Sequence, residues 1–160
     1  MHKLGLDIHG VINKQPRMFA KLTDIAKNRG YEVHILTGSK VTDVLHKELK
    51  NYDIKYDNLF SILDHHSKNT ETDIWQDSRN NWWIDDNIWN ETKGIYCNKQ
   101  GIDLHIDDTK IYGEYFKTPF THFTTDGHIE IKYESYKVEF TQEILTELCN
   151  IDTRLEVHIL

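Results

Sequence analysis

Two short apolar runs, Leu4-Gly5-Leu6 before Asp7 and Val33-His34-Ile35-Leu36 before Thr37, end abruptly in polar residues. That is the pattern of buried parallel strands delivering side chains to a sheet edge. Between them Phe19, Leu22, Ile25 and Ala26 recur at helical spacing after Pro16, and Gly30 behind Asn28-Arg29 is a stop signal. The pattern predicts strand, helix, strand. Val41, Val44, Leu45 and Leu49 make a second amphipathic helix, and Leu59-Phe60-Ser61-Ile62-Leu63 predicts a third strand.

From 64 to 90 the alternation breaks into a polar stretch with interspersed tryptophans. Asn80-Asn81 is a turn whose flanks, Ile74-Trp75 and Trp82-Trp83-Ile84, pair as a hairpin in a small insertion or lid. The pattern resumes with a helix over about 91–99, stopped by Gly101, and a fourth strand through Ile102-Asp103-Leu104-His105-Ile106 to Asp107-Asp108. Residues 120–123 predict a fifth strand. Ile129-Glu130-Ile131-Lys132-Tyr133 and 136–140 alternate as an exposed hairpin, a candidate homodimer edge, and 142–149 as a last helix. The expectation is one domain over 1–160, with 125–160 as a C-terminal hairpin and helix.

Composition narrows the function classes. The 160 residues, 38% hydrophobic and 28% charged, suit one soluble domain, and no apolar run approaches the roughly 20 residues of a membrane span. Asp7 interrupts the first apolar stretch before a signal peptide forms, which sets a cytoplasmic expectation. Cys97 and Cys149 form no CxxC pair and are expected as reduced core residues. The net charge of −7 disfavours nucleic acid as a partner, because a phosphate backbone calls for a basic surface.

The carboxyl ends of parallel strands converge on one crevice, so Asp7, Thr37 and Asp107-Asp108 are expected to meet there. Clustered carboxylates repel unless a hard cation sits among them, and oxygen-only ligands suit Mg²⁺. A carboxylate beside such a cation is also a nucleophile toward phosphorus, with Lys93 and Thr37 as donors to the developing charge.

These residues resemble the motifs of the haloacid dehalogenase superfamily. Leu4-Gly5-Leu6-Asp7-Ile8-His9-Gly10-Val11-Ile12 looks like its first motif, a strand ending in Asp-x-Asp-Gly-Val. His34-Ile35-Leu36-Thr37-Gly38 resembles the second, Lys93 in Thr92-Lys93-Gly94-Ile95 the third, with Lys99 a weaker match, and Ile106-Asp107-Asp108 the acidic fourth. The resemblance spans residues 3–123. It implies a Rossmann-like α/β three-layer sandwich, a mostly parallel five-stranded sheet with the Asp7 strand central, and no large cap domain. It also implies Mg²⁺ as cofactor and hydrolysis of a phosphate monoester, such as a nucleotide or phosphosugar, through an aspartyl phosphate. Asp7 would be nucleophile and metal ligand, Thr37, Gly38 and Lys93 would bind the phosphoryl group, and Asp107 and Asp108 would hold the metal.

The departure is His9, where the family's phosphatases carry a second Asp. The backbone carbonyl of His9 still offers the metal ligand, and an imidazole with an ordinary pKa near 6.5 suits proton transfer at neutral pH. The alternative is an impaired module that binds Mg²⁺ and phosphate groups without turnover. Several of these residues also have plainer readings. Thr37-Gly38 suits an ordinary loop, Asp107-Asp108 a helix N-terminus, and Asp85-Asp86 a helix start. His65-His66 is expected as an exposed loop pair. Trp75, Trp82, Trp83 and Trp89 are expected to pack the insertion against the core, with a substrate lid as the second reading.

Overall fold

Strands and helices alternate through the first half of the chain: β1 (Lys3–Asp7), a wide turn (Ile8–Ile12), α1 (Pro16–Asn28), β2 (Glu32–Thr37), α2 (Asp43–Asn51), β3 (Asn58–Ser61) and α3 (Ile62–Ser67). The insertion is a separate hairpin of β4 (Ile74–Gln76) and β5 (Trp82–Ile84). Then follow α4 (Asp86–Gln100), β6 (Leu104–Asp107), a 3₁₀ turn (Lys110–Tyr115), β7 (Phe120–Phe123), β8 (His128–Ile131), α5 (Tyr133–Tyr136), α6 (Glu139–Ile151) and β9 (Glu156–Ile159). The computed structural model describes residues 1–69, 71–124 and 126–160. Thr70, within the expected insertion, and Thr125, at the head of the expected C-terminal segment, lie outside the described residues.

Among the described residues, seven strands form one sheet in the order β3-β2-β1-β6-β7-β8-β9, with helices on both faces and no large cap. All neighbours are parallel except β7 and β8, which pair antiparallel. β1 lies inside the sheet between β2 and β6 but is the third strand rather than the central one, because the sheet has seven strands rather than five. No helix of the described residues is long and apolar enough to cross a membrane.

The period of two along each strand sorts core from chemistry. Leu4 and Leu6 of β1, Val33 and Ile35 of β2, and Leu104 and Ile106 of β6 join one fully buried cluster with Phe19, Leu22, Leu49 and Ile144 of the helices. Burying each such side chain stabilises the fold by roughly 1.5–3 kcal/mol. The alternate positions, Gly5 and Asp7 of β1 and His105 and Asp107 of β6, therefore turn to the other face. There Leu36, Cys97 and Ile102 form a smaller cluster with Tyr96 of α4 and Phe60.

The structure corrects four further expectations. The third strand stops at Ser61, whose hydroxyl accepts from the Asp64 amide and caps α3, so Ile62 and Leu63 are helical and buried. The expected 129–140 hairpin does not form: β8 pairs instead with β7 and with β9, and Phe140 belongs to α6, where it is buried alongside Ile144, Leu145 and Leu148. His65 and His66 lie on α3 rather than on a loop, and His66 is buried with its Nε2 2.8 Å from Thr92 Oγ1. Trp75, Trp82 and Trp83 do not pack into the core. They stand exposed on the hairpin, where Trp75 and Trp83 are a stacked cross-strand pair at 5.7 Å. Asp85 does start a helix, its carboxylate accepting from the Asn87 and Ile88 amides.

Candidate active site

β1, β2 and β6 run parallel, so Asp7, Thr37 and Asp107 come to the same edge of the sheet. α4 lies against this region and extends Lys93 into it. The Lys93 Nζ donates to Asp7 Oδ1 at 2.9 Å and to Asp107 Oδ2 at 2.7 Å, and all three side chains are buried. Asp107 has two further partners: Nε2 of His105 lies 2.9 Å from Oδ2, and the Thr109 amide donates to Oδ1 at 3.0 Å.

One ammonium cannot neutralise two buried carboxylates, and the surplus falls on the one with fewer donors. Burial pushes Asp7 up to about 8 even though Lys93 pulls it down, with Asp107 adding repulsion. Burial acts on Asp107 in the same sense, but Lys93 and His105 overcome it and hold that carboxyl below the usual range. Burial opposes the charge of Lys93 too, yet Asp107 and Asp7 keep its ammonium well above the ordinary value. The triad is thus short of positive charge, and a cation beside Asp7 would relieve it.

Asp108 supplies the third carboxylate. Asp7, Asp107 and Asp108 each offer an oxygen, and the three oxygens lie within 4.8 Å of one another. The wide turn after β1 makes room for it. Gly10 sits at φ +97°, its amide donates to Asn13 Oδ1 at 2.7 Å, and a Cβ there would fall 2.0 Å from Asp108 Oδ2. A side chain at position 10 would need a left-handed backbone and the space of the carboxylate.

A cavity of about 280 Å³ opens on this cluster, lined by Asp7, His9, Thr37, Gly38, Lys93 and Asp108 together with Ser39, Trp89 and Tyr112. Thr37 is buried, and its Oγ1 accepts from the Ser39 amide at 3.2 Å, which tightens the loop after β2. Trp89 packs on Gly38 and donates from Nε1 to the Tyr112 hydroxyl at 2.6 Å. The Tyr112 ring in turn faces the Lys93 ammonium at 5.3 Å. The His9 side chain is half exposed, with Nε2 3.4 Å from Glu48 Oε1 of α2.

Of the residues that the resemblance assigns to the site, Asp7, His9, Thr37, Gly38, Lys93 and Asp108 border the cavity, while Asp107 is fully buried and bonded to Lys93. Lys99 is exposed and points elsewhere. Sequence reasoning misses His105, Glu48 and Tyr112, whereas Trp89, weighed there as core packing or a substrate lid, forms part of the cavity wall. Of these only His105 carries a local signal, being two residues from Asp107 on one strand and hence on the same face.

No family model matches this chain, and no curated protein matches it. Among solved structures, a Thermoplasma acidophilum protein is 13% identical at a TM-score of 0.39, with 90% of this chain and 89% of that one covered. A Vibrio cholerae protein assigned as a 3-deoxy-D-manno-octulosonate 8-phosphate phosphatase is 12% identical at a TM-score of 0.41, with 99% and 88% covered. Likeness at this level carries no functional weight.

Proposed function

We propose that this chain is a magnesium-dependent phosphatase of the haloacid dehalogenase type, which hydrolyses a phosphate monoester such as a nucleotide or phosphosugar through an aspartyl phosphate on Asp7. The observation that carries the reading is the Lys93 ammonium bonded to both Asp7 and Asp107, with Asp108 beside them, at the floor of a cavity walled by Thr37. The four motif resemblances support the same assignment.

The donor set fits Mg²⁺: three carboxylates within reach of one another, and a local excess of negative charge. Asp7, Asp107, Asp108 and, as the resemblance implies, the His9 carbonyl would hold it. When bound it offsets charge on the phosphoryl oxygens and keeps Asp7 ionised.

Lys93 holds Asp7 Oδ1, so Oδ2 is the attacking oxygen. It forms a bond to phosphorus as the bond to the ester oxygen breaks, and the departing oxygen takes a proton from the His9 imidazolium. Water then attacks the same phosphorus and gives its proton to His9, and the aspartyl bond breaks to release phosphate. Glu48 beside His9 supports the imidazolium before the first proton transfer and after the second. Lys93 and Thr37 donate to the phosphoryl oxygens.

Phosphate release from a mixed panel of monoesters, with Mg²⁺ and with chelator, tests this reading in the wild type and in Asp7→Asn. Release that needs Mg²⁺ and disappears in Asp7→Asn is expected. Full activity of Asp7→Asn would overturn the mechanism, and an inert wild type that still binds Mg²⁺ and phosphate would make the chain a binding module.

A further inference from the structure

A second group of metal-binding side chains lies far along the sheet from Asp7, on the parallel pair β8 and β9. The register sets His128 opposite Glu156 and Glu130 opposite His158, so His128, Glu156 and His158 share one face. Three of their atoms converge. His128 Nδ1 lies 2.9 Å from His158 Nε2 and 3.2 Å from Glu156 Oε2, and the latter two are 3.6 Å apart.

We propose that these three residues form a binding site for a divalent transition-metal ion, zinc in the first instance. A triangle with those sides has a circumradius of about 1.9 Å, so a point about 0.8 Å above its plane lies 2.0–2.1 Å from all three atoms, the length of Zn–N and Zn–O bonds. Hydrogen bonding alone serves the group poorly. A single proton joins two of the three atoms and leaves the lone pair of the third facing its neighbours, whereas a cation above the triangle engages all three.

Two imidazoles and one carboxylate select against Mg²⁺, which prefers oxygen alone, and suit zinc. Three protein ligands leave a fourth position for water. The ion would also tie β9, the last strand of the sheet, to β8 across the register.

The test is equilibrium dialysis of the full chain against Zn²⁺ with Mg²⁺ in excess, so that the acidic cluster at Asp7 is saturated. The wild type should retain one equivalent of zinc. His128→Gln and His158→Gln keep the side-chain size at half-exposed positions and should each weaken retention at least about tenfold, since even partners that only orient a ligand are worth 10–100-fold. His46→Gln, on α2, should change nothing. Circular dichroism confirms that each variant is folded. No retained zinc in the wild type would overturn the proposal, as would equal zinc affinity in wild type, His128→Gln and His158→Gln. Neither result bears on Asp7.

Discussion

Gly10→Ala probes the link between the turn after β1 and the acidic cluster, and its cost divides into two parts. Gly10 sits at φ +97°, where an L side chain costs roughly 1–2 kcal/mol. Its Cβ would also lie 2.0 Å from Asp108 Oδ2 and 2.2 Å from Asp108 Cγ, so the carboxylate must move by more than about 1 Å to reach van der Waals contact. Overpacking of that kind costs about 1–3 kcal/mol, for a sum near 2–5 kcal/mol. Gly30→Ala is the matched control. That glycine sits at φ +77° with nothing within 4 Å of its virtual Cβ, so it carries the backbone part alone, roughly 1–2 kcal/mol. Urea denaturation of both variants isolates the steric part, and calorimetry with Mg²⁺ follows the displaced ligand, whose affinity should fall at least about tenfold. If Gly10→Ala were no more destabilising than Gly30→Ala and bound Mg²⁺ as the wild type does, the placement of Asp108 against the turn would be wrong.

Lys93→Met leaves the Asp7 and Asp107 carboxylates without their shared cation and should lower stability by about 3–5 kcal/mol, read from the urea midpoint; an unchanged midpoint would contradict the buried triad. His9→Ala should reduce kcat at least about tenfold, most on unactivated esters whose leaving group needs a proton, and equal rates on activated and unactivated esters would remove His9 from proton transfer. Asp77 tests the hairpin. The Trp83 indole N–H, then the Asn81 and Arg79 amides, hold its carboxyl down at about 2 against an ordinary 3.8. A depressed carboxyl stabilises the folded hairpin above the unfolded value and loses that contribution as pH falls through the folded one. Tryptophan fluorescence should therefore hold from pH 7 to about 4 and change toward pH 2, a step that Asp77→Ala should lack. The same step in that variant would assign it elsewhere.

Much of the sheet is legible in the sequence because buried parallel strands announce themselves twice, by an apolar run and by an abrupt polar end. β1 and β2 show both marks, and β7 and the Trp75–Trp83 pairing also fall where the pattern puts them. β3 is misjudged because Ile62-Leu63 extends its apolar run, and only the Ser61 cap tells helix from strand. Residues 136–140 alternate like a strand, but Phe140 sits on a 3.6-residue stripe with Ile144 and Leu148, and burial of that stripe decides the outcome. β9 is four residues long and half exposed, so it carries too little apolar signal to be read. The acids and Lys93 can be named from strand ends and spacing, and the structure brings their side chains together. Glu48 and Tyr112 cannot, since each meets the site through a long-range contact with another element.

The central claim is that Asp7 carries the phosphoryl group. The direct measurement is rapid acid quenching during turnover of a good monoester substrate with Mg²⁺, followed by proteolysis and mass spectrometry of the peptide that contains Asp7. The account predicts an acid-stable, base-labile phosphate on Asp7 that is absent with chelator and absent from Asp7→Asn. Turnover in which the quenched chain carries no phosphate on Asp7, or carries it on another residue, would contradict it.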